Sequence, residues 1–175
     1  MTELLVLCTG NAARSVMAGF MLDHLQAGRP GVDLHMVTAG THTIDGQPMG
    51  MRTRAAMSAI PELADVPFMR HRSRQVYEAD LVRAELVIAM EADHVRFVRK
   101  QFPEVAGRTA TIRRLCTDLP PAPPALRERV AALKLADALL RDEDDVIDPA
   151  GGEEAAYAAC VSELWMLCQQ LIELL

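Results

Sequence analysis

The first apolar stretch of the chain, residues 4–7, is unbroken by any polar side chain and stops at Cys8, two residues before Gly10. Behind it apolar side chains recur at Val16, Phe20, Leu22 and Leu25, and the pattern ends at Gly28. A short continuous run followed by helical spacing predicts a buried strand over 3–8, a loop, and then a helix. The alternation continues along the chain. Residues 33–40 read as a second strand, and Pro48 stands where a helix through 49–60 can begin, since a first helical turn does not use the amide that proline lacks. Residues 84–90 have the most buried character, a helix over 92–102 follows, and 109–115 is a weaker fourth strand.

Strands alternating with helices predict an α/β fold with a parallel sheet covered on both faces, because each crossover needs a helix to return the chain to the same edge. Ligands of such sheets bind beyond the carboxyl ends of the strands, and the loop opened by Cys8 lies at that end. The prolines of 118–125 fix the backbone and remove amide donors, so this segment is expected as an exposed connector. A charged amphipathic helix over 126–142 and a helix over 153–175, with acidic residues in its first turn, complete the expectation. No internal repeat interrupts it.

A chain of 175 residues fits one domain with a substantial core. The formal charge of −6, with no basic run interleaved with aromatics, argues against a nucleic-acid partner. No stretch approaches the roughly 18 apolar residues of a membrane span. The N-terminus lacks the basic flank and long apolar centre of an export signal, so a cytoplasmic protein is expected. In that reducing compartment Cys8, Cys116, Cys160 and Cys168 read as free thiols.

The chemistry gathers in the stretch VLCTGNAARS. A loop between a strand and a helix start turns several backbone N–H groups toward one point and adds the positive end of the helix dipole, a ready anion site. Those donors, with Arg14, favour the thiolate of Cys8 and prepare it as a nucleophile. Arg14 offers a planar fork for two oxygens of a tetrahedral oxyanion. Ser15 can donate its hydroxyl to the sulfur, Gly10 allows a tight turn, and Asn11 tolerates a left-handed backbone. Most free cysteines are merely buried. Chance, however, supplies Cys-x5-Arg-[Ser/Thr] only roughly 0.03 times in such a chain, so the spacing carries information. Departing oxygen needs an acid, and VIDPAGG supplies Asp148, whose alternative role is that of a turn aspartate before proline.

VLCTGNAARS and DPAGGEEAAYAACV resemble the phosphate loop and acid loop of the low-molecular-weight protein tyrosine phosphatase family. VTAGT and MRHRSRQVYEADLVRAELVIAMEADHVRFV resemble its second and central strands with their flanks. The resemblance covers most of the chain except about 118–145, which reads as an insertion within a single domain spanning 1–175. It implies a three-layer fold with a four-stranded parallel sheet flanked by helices, and a two-step phosphatase reaction without metal or cofactor. Cys8 would attack phosphorus inside a loop made of Thr9, Gly10, Asn11, Ala12, Ala13, Arg14 and Ser15. Asp148 would protonate the leaving oxygen and then activate water against a phosphocysteine. The resemblance also implies that Thr38 and His71 brace Asn11. The expected substrate is a phosphorylated protein or a small phosphate ester, with oligomeric state left open.

The sequence departs from the family in ways that bear on substrate. Ala13 stands where a second loop cysteine is usual, and Val16 where proline is usual. Ala150 and Gly151 replace the aromatics that commonly follow the acid-loop Asp-Pro, and Ile44 occupies a wall position. Ala12 matches neither the isoleucine of phosphotyrosine-specific members nor the threonine of phosphoarginine-specific ones. Arsenate reduction with an external thiol, or phosphate binding without turnover, are the alternatives.

Overall fold

The apolar run at the N-terminus forms β1 (Thr2–Cys8), which lies between β2 (Leu34–Gly40) and β3 (Leu86–Ala89). With β4 (Thr109–Thr111) beyond β3, the sheet has the order β2-β1-β3-β4, and all neighbours are parallel. This is the four-stranded α/β architecture expected. A computed structural model describes residues 2–29 and 33–175. The crossovers carry α1 (Arg14–Ala27), α2 (Met51–Ser58), α3 (Glu78–Arg83) and α4 (Ala92–Gln101). After β4 come α5 (Ile112–Asp118), α6 (Leu126–Ala132) and the long α7 (Glu154–Leu174).

From Leu4 to Cys8 the central strand β1 is apolar at every position because both of its faces are covered there. Leu4, Val6 and Cys8 belong to the cluster built with α1 and α7, whereas Leu5 and Leu7 join Val87, Leu81 and Val98 on the side of α3 and α4. Each fully buried leucine contributes on the order of 1.5–3 kcal/mol of transfer free energy, so this strand is the best-anchored part of the sheet. Its register pairs Cys8 with Gly40 and Leu7 with Ala89, and so brings three strand ends to one edge. Cys8 is thereby fixed at the ligand-binding end by the most buried element of the fold.

Several expected element boundaries are corrected. The fourth strand was expected over 109–115 but stops at Thr111, whose side chain accepts the amide of Arg114 at 3.3 Å and caps α5. A threonine at an N-cap satisfies a donor that a strand would have left for a neighbour. The helix expected over 126–142 is confined to α6. Lys134 turns left-handed at φ 50°, and the following carbonyls are taken by arginines from elsewhere. Arg99 of α4 donates to Leu135 O (2.6 Å) and Ala138 O (2.8 Å), and Arg114 of α5 donates to Leu139 O (2.8 Å). Tertiary hydrogen bonds thus replace the helical ladder. Pro48 also lies ahead of its helix, in an isolated bridge with Arg72. Of the connector expected over 118–125, residues 120–125 are exposed, whereas Asp118 still belongs to α5 and Leu119 is buried in the core.

Candidate active site

Between β1 and α1 the chain folds around five carbonyls that all point outward to donors of the scaffold. Cys8 O accepts from Thr41 N (2.9 Å) and Thr9 O from His42 N (2.9 Å). Gly10 O accepts from Thr43 Oγ1 (2.7 Å), Asn11 O from His71 Nε2 (2.8 Å) and Ala12 O from Thr53 Oγ1 (3.2 Å). With the acceptors tied back, the amides of residues 10–13 find no partner among the described residues. A run of amides left this way is an anion cradle, and the start of α1 adds its dipole. Asn11 has φ 47°, the left-handed turn its residue type suits.

The sulfur stands at one end of the cradle. Ser15 Oγ is 3.0 Å from Cys8 Sγ and also accepts from Asn11 Nδ2 at 3.0 Å. Because its oxygen is already an acceptor for the amide, the serine hydroxyl has its proton to give to sulfur. Asn11 Oδ1 accepts from Arg74 N at 3.0 Å, and so the side chain is held from both ends. His71 must carry its proton on Nε2 to serve the carbonyl of Asn11. Burial, aided by Arg72 and opposed by that hydrogen bond, lowers its pKa and keeps it neutral. Thr38, expected beside Asn11, is not among its partners. It packs its methyl instead against α1, where a Cβ on Gly19 would come within 2.3 Å of Thr38 Cγ2.

Arg14 closes the other end. Its Nη1 donates to Glu91 and to Val146 O (3.0 Å), and its Nη2 donates to Asp148 Oδ2 (2.7 Å). Burial works against the charge on this guanidinium, but the bond to Glu91 and the charges of Asp148, Glu91 and Cys8 outweigh it and raise the pKa. The acid loop is tied to the sheet through Val146 N on Met90 O (2.8 Å). Asp145 is spent on the start of α4, where it accepts from Ala92 N at 2.6 Å. Of the acidic run near the site, Asp148 is therefore the carboxylate that meets Arg14.

His94 Nε2 lies 2.9 Å from Thr9 Oγ1 and 3.4 Å from Glu91 Oε1, deep in the protein. Burial, reinforced by the charge of Arg14, pushes its pKa down to about 4. Its Nδ1 is buried and has no partner among the described residues, which fits an unprotonated acceptor there better than a stranded donor, so Nε2 carries the proton. The cleft above the cradle, about 150 Å³, is walled by small groups, Ala12, Gly50, Thr53 and Ala150, and by the ring of Tyr157.

The low molecular weight phosphotyrosine protein phosphatase model matches residues 3–122. The chain belongs to that family. Protein-arginine-phosphatases of Geobacillus stearothermophilus and Bacillus subtilis are each 26% identical to it, the first over 98% of this chain and 94% of its own, the second over 97% and 93%. Among solved structures it resembles a low molecular weight protein tyrosine phosphatase from T. tengcongensis, with TM-score 0.77 and 26% identity over the full length of both chains. The YwlE arginine phosphatase of G. stearothermophilus superposes with TM-score 0.75 at 24% identity, covering 99% of this chain and 92% of that one.

The family match ends before the acid loop, and the fold brings Asp148 back to Arg14 from 134 residues away. Sequence reasoning did not single out Glu91, His94, Thr43, Thr53 or Tyr157. Glu91 and His94 had one available signal, since Glu91 lies two residues beyond the end of β3 and His94 in the first turn of the helix that follows, at the ligand edge of the sheet.

Proposed function

We propose that this phosphatase acts on phosphorylated protein side chains through a phosphocysteine at Cys8. The observation that carries the reading is the cradle itself: its carbonyls are tied outward, its amides find no partner among the described residues, and Cys8 and Arg14 stand at its ends. The phosphoryl oxygens would lie on those amides and on Arg14, which spread the charge of the transition state. Cys8 Sγ bonds to phosphorus as the bond to the leaving oxygen or nitrogen breaks, and Asp148 gives that atom a proton. Water then attacks phosphorus, returns a proton to Asp148, and expels the thiolate with release of orthophosphate. The Ser15 hydroxyl stabilises sulfur in both steps.

The family name points to phosphotyrosine and the names of two relatives to phosphoarginine. Both heads are planar, and Ala12 and Ala150 leave room for either beside the cradle. Cys8→Ser tests the reading: turnover of an aryl phosphate and of phosphoarginine should vanish while orthophosphate still binds. Substantial residual turnover would refute the covalent path.

A further inference from the structure

The acid loop of this chain carries no aromatic side chain, yet the cleft has one. Gly151 turns left-handed at φ 80°, and Gly152 N bonds back to Pro149 O at 2.9 Å. A Cβ on Gly152 would lie 2.7 Å from Ala156 Cβ and 3.1 Å from Pro149 O, so the loop lies directly on the first turn of α7. That close approach puts Asp148 and Ala150 beside Tyr157, one residue beyond Ala156. Tyr157 then lines two adjoining spaces. One is the catalytic cleft, and the other is a depression of about 330 Å³ outside it, bordered by Gly50, Met51, Arg52 and Thr53.

We propose that Tyr157 is the specificity wall of this site, the surface on which the planar head of the phosphorylated side chain stacks while its phosphoryl group occupies the cradle. Three observations converge. Apart from Cys8, Arg14 and Asp148, Tyr157 is the one large side chain of the cleft among the described residues. It is half-buried and packs against the core cluster, so its position is fixed at little further cost in entropy. Its hydroxyl has no hydrogen-bond partner among the described residues, so no anchoring bond accounts for a tyrosine there. An aromatic face attracts both an aryl ring and a guanidinium plane, and rejects a saturated chain by offering it no such gain. The inference rests on the proposed reading of the cleft as the substrate site.

The test measures binding of benzylphosphonate relative to methylphosphonate to the intact protein and to Tyr157→Phe, Tyr157→Leu and Tyr157→Ala, with the folded state of each checked by thermal melting. Neither ligand is turned over. The preference for benzylphosphonate should survive in the phenylalanine variant and fall about three- to tenfold in the leucine and alanine variants. The leucine variant keeps the bulk, and so reports on the ring even if the alanine variant fails to fold. An unchanged preference in the leucine variant overturns the proposal. A parallel comparison of kcat/KM for a phosphotyrosine peptide and for phosphoarginine, in the wild type and the leucine variant, assigns the ring to whichever head loses more. A protein that keeps the phosphonate preference but turns over neither substrate would retain this wall and lose the covalent reading above.

Discussion

Arg14 Nη2 and Asp148 Oδ2 lie 2.7 Å apart, while Asp148 Oδ1 accepts from Ala150 N at 3.0 Å. Both oxygens of the prospective acid are thus acceptors in the resting site. An entering phosphate dianion competes for the same guanidinium fork. The resting ion pair therefore sets the prospective acid against the group that would hold the phosphate.

Asp148→Asn isolates that role, since asparagine keeps an acceptor for Arg14 but has no acidic proton. Hydrolysis of phosphate esters with poor leaving groups should slow by about 10²–10⁴-fold, and that of activated aryl esters far less. The dependence of kcat on leaving-group basicity is the measurement. Equal slowing across the series would make Asp148 a structural residue.

Glu91→Gln keeps an acceptor for Arg14 and removes a charge. A hydrogen bond to a charged group contributes about 1.5–3 kcal/mol, so orthophosphate inhibition and kcat/KM should weaken about ten- to hundredfold as Arg14 loses its set position. Unaltered inhibition would mean that Val146 O and Asp148 suffice to aim the guanidinium.

The β1, loop and α1 segment was legible because its signals are local: an unbroken apolar run, Cys8 and Arg14 at fixed spacing, and helical periodicity behind them. Of the anchors of the same loop only His71 was reached, and by resemblance; Thr43, Thr53 and His94 were not legible, because they come to it from other places in the chain and share no pattern with it. The helix expected over 126–142 failed for a similar reason. Its periodicity was real, but Arg99 and Arg114 claimed the carbonyls that a longer helix would have used. Thr38 was placed beside Asn11 by resemblance alone, and the close packing of α1 on β2 gives its methyl another neighbour.

His94 makes a pH prediction. Burial holds its pKa near about 4 in the folded protein, against about 6.5 when unfolded. Between those values the unfolded chain binds a proton that the folded one does not, so stability rises with pH across this window and is lost on acidification from about 6.5 toward 4. The full effect is roughly 3 kcal/mol. Thermal melts at pH 7.5 and pH 5 should show a smaller acid-induced drop for His94→Gln than for the wild type. An identical drop would place the acid sensitivity elsewhere.

Oxidation should expose what Ala13 leaves out. Cys8 holds its sulfur beside Ser15, with alanine at the position where the family usually carries a second loop cysteine, and the remaining thiols are poorly suited to replace it. Cys160 is near enough to feel the charges of Cys8, Arg14 and Asp148, but burial, with Glu163 adding to it, pushes its pKa up to about 12. Burial likewise raises Cys116 to about 11, and raises Cys168, whose thiol lies 3.8 Å from Ala18 O. Since the thiolate is the attacking species, a thiol with such a pKa is ionised to only about one part in 10⁴ near pH 7.5 and captures a sulfenic acid slowly. Mild peroxide should therefore add one and then two oxygens at Cys8, with activity preserved only when a small thiol is present to intercept the first product. Intact-mass analysis with peptide mapping reads this directly, and Cys160→Ala should oxidise with the same course as the wild type. Rapid loss of two hydrogens through a Cys8–Cys160 link, reversed by reductant and absent in that variant, would show that α7 supplies a resolving thiol after all.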